Sequence, residues 1–169
     1  MQSFVVKKMV ASHGVIADAR ITIDGDRIVE ISDGAPDAAA LWAVPGFVDT
    51  HCHGAVQVSF GTPDLDENRR ARAYHLSKGT TTLFASTVTL SVDELVAQEQ
   101  VLRELVEEGA IDGIHLEGPF LAPEKKGAHP EELLMDPDPD AVDRLIEAGG
   151  DALRMVTVCL LYTSDAADD

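Results

Sequence analysis

The 169-residue chain has 30 acidic and 13 basic side chains, a formal net charge of −17, and 45% hydrophobic residues. This apolar fraction is enough for a folded core, so the composition predicts a globular protein and excludes a disordered one. The negative charge argues against nucleic acid or an anionic membrane as a partner, because few basic groups could neutralise phosphates. The first residues lack the pattern of a signal peptide, and no apolar run approaches the length of a membrane span, so we expect a cytoplasmic location.

Residues 1–43 are predicted to form a small β-meander. The first strand begins around Phe4, and residues 19–23 alternate apolar and polar side chains as a half-buried strand does. Residues 24–26 read Asp-Gly-Asp, which is a hairpin signal, and residues 27–31 return as another strand. We therefore expect a small β domain at the start of the chain.

From residue 44 the pattern changes to strands that alternate with helices. The predicted strands lie near residues 45–50, 81–86, 111–116 and 153–158. The predicted helices cover residues 65–78, 91–108 and 138–148. Alternation of this kind predicts parallel βαβ units. The pattern fits either half of an eight-stranded barrel or the start of an open sheet.

The segment 44–54, VPGFVDTHCHG, ends the first of these strands with two histidines. Side chains alternate faces along a strand, so His51 and His53 project to the same side while Cys52 points away. Two imidazoles on one face can bind one divalent metal ion. The alternative interpretation is a pair of surface histidines near a turn, and the H-x-H pattern by itself does not separate the two.

A second candidate follows the third strand, in the segment 113–120, GIHLEGPF. Glu117 stands at the C-terminal end of that strand, and barrel enzymes keep their chemistry at this end. The alternative is an acid that caps a neighbouring loop. His115 shares the face of Glu117, and we interpret it as a core or supporting residue. Lys125 and Lys126 follow in a loop and are predicted to be solvated.

These motifs in combination resemble a known family of enzymes. The apolar strand with Asp49, the paired histidines and Gly54 are similar to the start of the barrel in the amidohydrolase superfamily. The H-L-E-G-P segment, followed by KKGAH at residues 125–129, narrows the resemblance to the N-acetylglucosamine-6-phosphate deacetylase family. The resemblance implies an α/β fold: the first half of a (β/α)8 TIM-type metal-dependent hydrolase barrel at residues 44–158, preceded by the small β domain.

The same resemblance implies roles for individual residues. It implies that His51, His53 and Glu117 bind one or two divalent ions, zinc or similar, and that Ala128 and His129 contact the substrate. The implied substrate is a small phosphorylated amino sugar, N-acetylglucosamine 6-phosphate, which is hydrolysed to glucosamine 6-phosphate and acetate. The family also implies a homodimer. Its catalytic aspartate and two further histidine ligands are expected beyond residue 158, so no catalytic residue is assigned in this chain.

Residues 159–169, CLLYTSDAADD, do not continue the family pattern. They resemble translated adapter sequence, so we predict a non-native tail on an N-terminal fragment that is inactive by itself. Excluding the tail leaves Cys52 as the only native cysteine. The alternative enzyme is another amidohydrolase, such as a dihydroorotase- or hydantoinase-like cyclic amide hydrolase. Those enzymes usually carry a carboxylated lysine at the position that Glu117 occupies.

Overall fold

The protein is described by a computed structural model that covers residues 1–34 and 41–159. The chain divides into two compact units, the first being Met1–Gly46 and the second beginning at Phe47. The predicted tail lies outside the described residues except for Cys159, whose N–H donates to the Phe120 carbonyl at 2.9 Å. Within the described ranges, no helix has the length and apolar character needed to cross a membrane.

The first unit is a four-stranded sheet with the order β3-β2-β1-β4. The strands are β1 (Gln2–Ala11), β2 (Gly14–Asp24), β3 (Arg27–Asp33) and β4 (Trp42–Ala43). The first three are antiparallel, as the meander pattern predicts, and the short β4 pairs in parallel with β1. Gly25 lies in the tight turn between β2 and β3 at φ +61°, a conformation that favours glycine. The buried apolar side chains of this sheet are Val6, Ala19 and Ile21.

The second unit alternates strands and helices around one parallel sheet. Its strands are β5 (Phe47–Cys52), β6 (Gly54–Ala55), β7 (Val58–Ser59), β8 (Thr80–Ser86), β9 (Gly113–Glu117) and β10 (Leu153–Thr157). Its helices are α1 (Leu65–Ser77), α2 (Val92–Glu107) and α3 (Pro139–Gly149). Strands β5, β8, β9 and β10 are neighbours in chain order and all pairs are parallel. The βαβ organisation that the sequence predicts is therefore confirmed.

Two predicted strands have boundaries that are wrong by two residues. β5 covers residues 47–52 rather than 45–50, because its first parallel pair joins Phe47 to Thr80. β9 begins at Gly113 rather than residue 111, because Asp112 makes a separate contact before the strand starts. Its side-chain Oδ2 accepts from the Leu83 N–H at 2.8 Å, and its own N–H donates to the Leu83 carbonyl at 2.9 Å.

Each helix begins with a side chain that satisfies free backbone N–H groups. Asp64 caps α1 and Asp138 caps α3, where Pro139 occupies the first turn. Ser91 and Glu94 form the reciprocal capping box of α2 that the sequence predicts. The three helices pack over the sheet and bury apolar side chains against it. The fully buried leucine and isoleucine side chains of this core include Leu83, Leu95, Leu102 and Ile114.

Helix α2 also buries a carboxyl group. The Glu99 side chain is fully buried, and neither carboxylate oxygen has a hydrogen-bond partner within the described residues. Burial raises the pKa of Glu99 to about 8, because desolvation penalises the charged form. Gly149 lies beside this side chain, and an added Cβ there would be too close to Leu153 Cβ, at 2.9 Å, while lying 3.4 Å from Glu99 Oε1. Glu99 is therefore neutral in the folded protein at neutral pH.

This buried acid generates a stability prediction for Glu99→Gln. The unfolded chain loses the Glu99 proton near the ordinary pKa of about 4.3, while the folded chain keeps it to about pH 8. The free energy of unfolding of the wild type therefore falls as pH rises through this window, by up to about 1.4 kcal/mol per pH unit from this group. In urea unfolding at pH 5, 6, 7 and 8, Glu99→Gln should become progressively more stable relative to wild type. The exposed Glu104→Gln on the same helix is the control, and an equal pH trend in both variants would contradict the assignment.

Candidate metal and substrate site

The end of strand β5 places two histidines at the C-terminal edge of the parallel sheet, His51 within the strand and His53 just after it. His51 is exposed and His53 is half-buried, and their ring centroids are 5.0 Å apart. Glu117 lies at the end of β9, two strands away in the same sheet. Parallel strands end at the same edge, so residues separated by 64 or more positions in the sequence become neighbours there.

The ligand-type atoms of these three residues form a close triangle. His51 Nε2 lies 3.1 Å from His53 Nε2, and Glu117 Oε2 lies 3.0 Å from each of the two nitrogens. Zinc bonds of about 2.0–2.2 Å in tetrahedral geometry place neighbouring ligand atoms about 3.3–3.6 Å apart. The triangle is therefore close to the dimensions of one face of such a site.

The hydrogen bond on the far side of His53 fixes which ring nitrogen carries the proton. His53 Nδ1 lies 3.2 Å from the carbonyl oxygen of Ser86, which can only accept, so Nδ1–H is the donor. In the neutral ring this leaves Nε2 with a free lone pair directed towards His51 and Glu117. Metal-binding histidines commonly have this arrangement, in which the second nitrogen donates to a carbonyl group and orients the ring.

His115 supports the site from behind, as the sequence indicates. It is fully buried, with Nδ1 at 2.8 Å from Ser86 Oγ and Nε2 at 2.7 Å from Thr157 Oγ1. Its ring packs edge-on against His51, with centroids 4.8 Å apart. Burial, and next the neighbouring His51, lowers the pKa of His115, which favours the neutral ring. His115 does not belong to the three-residue ligand cluster and holds the His51 ring in place.

His129 approaches the same carboxylate from the loop after β9. Its Nδ1 accepts from the Thr89 N–H at 3.1 Å and lies 2.7 Å from Thr89 Oγ1. The neutral ring therefore carries its proton on Nε2, which lies 3.6 Å from Glu117 Oε2. His129 thus presents an N–H donor to the space beside the triangle.

Gly118 makes the Thr89–His129 contact possible. An added Cβ at Gly118 would lie 2.0 Å from Thr89 Oγ1, and its φ of +79° favours glycine in any case. The glycine of the H-L-E-G-P segment is therefore required because the Thr89 side chain fills the space beside it. Any larger residue here would displace the side chain that holds His129.

A cavity of about 510 Å³ joins these groups, and its size suits a small ligand. It is lined by the triangle and by the loop residues 125–130, which include both predicted substrate contacts, Ala128 and His129. The prediction that Lys126 is simply solvated is wrong. The loop folds back, so that Lys126 is half-buried and its Nζ donates to the His129 carbonyl at 3.2 Å. Lys125 is exposed, as expected.

Sequence reasoning missed the hydroxyl groups that support this site. The hydroxyls of Ser86 and Thr157 contact His115, and the hydroxyl of Thr89 contacts His129. In the sequence these three look like ordinary residues of strands and strand ends. It also missed a second group of ligand-type side chains, Asp49, Cys52 and His75, whose ligand atoms lie within 4.8 Å of one another. Cys52 and His75 are 23 positions apart, and no motif joins them.

Comparison with known proteins agrees with the fold. The model of the amidohydrolase family matches residues 42–157. The chain therefore belongs to the amidohydrolase family.

More specific similarities are to sugar-phosphate deacetylases. The crystal structure of N-acetyl-D-glucosamine-6-phosphate deacetylase from Mycobacterium smegmatis superposes with a TM-score of 0.86 at 40% identity, over 94% of this chain and 44% of that one. The human N-acetylglucosamine-6-phosphate deacetylase is 32% identical over 76% of this chain and 33% of its own length. The N-acetylgalactosamine-6-phosphate deacetylase of Escherichia coli O157:H7 is 25% identical over 90% of this chain and 42% of its own length. The chain thus spans less than half the length of each of these relatives.

Ser86→Ala tests the hydroxyl network beneath the triangle. Ser86 Oγ is buried, accepts from the Cys52 N–H at 3.0 Å and contacts His115, so its removal leaves two buried polar groups without a partner. We expect a loss of about 1–3 kcal/mol in the free energy of unfolding, measured with urea. Ser77→Ala is the control, since that hydroxyl is exposed on α1 and its removal should cost less than about 0.5 kcal/mol. Equal losses in the two variants would contradict the network.

Proposed function

We propose that this chain is part of a metal-dependent deacetylase that acts on N-acetylglucosamine 6-phosphate. The observation that carries the proposal is the triangle of His51, His53 and Glu117, which shares one cavity with Ala128 and His129. A second structure of the M. smegmatis enzyme, a mutant in complex with N-acetyl-D-glucosamine-6-phosphate, matches this chain with a TM-score of 0.85 at 40% identity. The match covers 94% of this chain and 43% of the M. smegmatis chain. The sugar phosphate in that complex supports the choice of substrate.

The donor set fits a divalent transition-metal ion. Two imidazole nitrogens and a carboxylate oxygen suit zinc and its neighbours better than calcium or magnesium, which prefer oxygen ligands. His51, His53 and Glu117 would hold one such ion, and the resemblance leaves open whether a second is bound. A bound ion would lower the pKa of water and polarise the amide carbonyl of the substrate.

The chain's own residues bind and orient the substrate. His129 donates from Nε2–H to a substrate oxygen, because Thr89 holds its Nδ1 as an acceptor. Ala128 offers its backbone at the same wall of the cavity. Lys126 ties the loop to the His129 carbonyl and thereby keeps both contacts in position. We propose that the aspartate that transfers the proton to the leaving amine comes from a part of the protein that this chain does not cover, and that the complete protein is a cytoplasmic homodimer.

The galactosamine epimer is a second candidate for the substrate. The E. coli O157:H7 relative is named for N-acetylgalactosamine 6-phosphate, and it covers 90% of this chain. The two sugars differ in the orientation of one hydroxyl group and share the acetamide and the phosphate. Both therefore present the same amide to the triangle, and only a direct comparison of the two substrates separates them.

His51→Ala tests the metal assignment. Removing one imidazole from the triangle should weaken zinc binding by at least about tenfold, since even residues that only support a metal ligand cost 10–100-fold when changed. Zinc affinity is measured by competition with a coloured chelator, and Glu117→Gln should behave in the same way. His13→Ala, at an exposed turn residue, is the control. Unchanged affinity in both site variants would overturn the assignment.

Acetate release tests the activity. The 169-residue chain and a version completed to the length of the relatives are each assayed with zinc and with both N-acetylhexosamine 6-phosphates. We expect turnover of the glucosamine substrate by the completed protein alone, because general acid–base help is worth about 10²–10⁴ in rate and the missing ligands cost more. Turnover by the shorter chain would refute the need for a second part. Activity of the completed protein on a cyclic amide alone would replace the proposed function.

A further inference from the structure

Asp49, Cys52 and His75 form a cluster on the helix-facing side of β5. A β-bulge causes this arrangement, because three residue steps from Asp49 to Cys52 match only two steps from Leu83 to Ala85 on β8. The extra residue turns Asp49 and Cys52 to the same face, which regular alternation would not do. Cys52 packs in the core cluster that also includes Ala71 of α1, and His75 reaches it from the same helix.

The distances within this cluster are those of ligands around one ion. Cys52 Sγ lies 3.2 Å from His75 Nε2, and the Gly54 carbonyl oxygen lies 3.1 Å from that nitrogen and 3.6 Å from the sulfur. Bonds of about 2.0–2.3 Å around a tetrahedral zinc ion place nitrogen, oxygen and sulfur ligands about 3.3–3.6 Å apart. With the Asp49 carboxylate within 4.8 Å, the cluster offers four donors.

The β6–β7 hairpin places the Gly54 carbonyl beside this cluster. Gly54 has φ +142°, and an added Cβ would lie 2.0 Å from the Val58 carbonyl oxygen, so only glycine fits where the β6–β7 hairpin closes. The sulfur and the imidazole both contact this carbonyl at the base of the hairpin. A hairpin, a strand and a helix converge on one point.

We propose that Asp49, Cys52, His75 and the Gly54 carbonyl oxygen form a second metal site of the zinc class, separate from the His51–His53–Glu117 triangle. One thiolate and one imidazole with two oxygen donors select zinc or cobalt over magnesium and calcium. On binding, the Cys52 thiol releases its proton to solvent, and His75 carries its remaining proton on Nδ1. The ion joins the end of β5 to α1 and to the β6–β7 hairpin.

A metal at this site would also stabilise the triangle through the backbone. Asp49 Oδ1 accepts a hydrogen bond from the His51 N–H at 3.2 Å. Fixing the Asp49 carboxylate therefore fixes the backbone of the first histidine of the triangle. The second site is structural in this account, since it lies on the helix-facing side of the strand, away from the cavity.

The competing explanation is a hydrogen-bond cluster without an ion. The Cys52 S–H and an Nε2–H of His75 could both donate to the Gly54 carbonyl, which would satisfy all three groups. This explanation predicts no thiolate–metal bond. The two explanations are therefore separated by spectroscopy that detects a thiolate ligand.

Titration of the chain with Co²⁺ tests the proposal. A cobalt–thiolate bond gives a charge-transfer band in the near ultraviolet that nitrogen and oxygen ligands do not give. The band should appear in the wild type and in Cys159→Ser, the matched control at the other cysteine, and disappear in Cys52→Ser. His75→Gln should weaken cobalt binding followed by this band at least tenfold. Circular dichroism confirms that each variant is folded.

The His51→Ala/His53→Ala double variant separates this proposal from the proposed function. It removes two ligands of the triangle, so the thiolate band should remain. The proposal is overturned if the folded wild-type chain shows no band at saturating Co²⁺, if Cys52→Ser keeps the band, or if the double variant loses it. The first two results do not bear on zinc binding by the triangle, because that site contains no sulfur, whereas loss of the band in the double variant would assign the thiolate to the ion of the triangle.

Discussion

The parallel pairing of β5, β8 and β9 is the constraint on which the site depends. It brings the C-terminal ends of three strands to one edge of the sheet, so that Glu117 meets His51 and His53 at 3.0 Å. Antiparallel pairing at one of these two interfaces would place Glu117 and the histidines at opposite ends of the sheet. The apolar cores between the sheet and its helices stabilise the parallel pairing. The same pairing positions the three side chains of the triangle.

Around the triangle, each imidazole is held by a group that fixes its direction. The Ser86 carbonyl orients His53, the Thr89 amide orients His129, and the buried His115 supports the ring of His51. These contacts determine which nitrogen faces the cavity, and that matters because a lone pair binds a metal whereas an N–H binds a substrate oxygen. The chain therefore presents lone pairs and a carboxylate at one point, and a donor beside it.

The sequence predicted the parts of this arrangement that follow from local periodicity and known motifs. The βαβ order, the capping box of α2 and the facing of His51 and His53 all come from spacing that one element imposes. Long-range fits were not predictable: the hydroxyl of Thr89 fills the space at Gly118, and the loop returns so that Lys126 reaches His129. The bulge in β5 was missed for the same reason, since it is defined by the register with β8, and it alone turns Asp49 towards Cys52.

An ion bound to the triangle is the central requirement of the proposed function. Crystals of the zinc-loaded protein, measured on both sides of the zinc absorption edge, give an anomalous difference map that locates zinc without reference to any relative. The account predicts a peak about 2.0–2.2 Å from His51 Nε2, His53 Nε2 and Glu117 Oε2 together. Zinc-loaded crystals in which these three side chains keep their positions but no peak lies among them would contradict it.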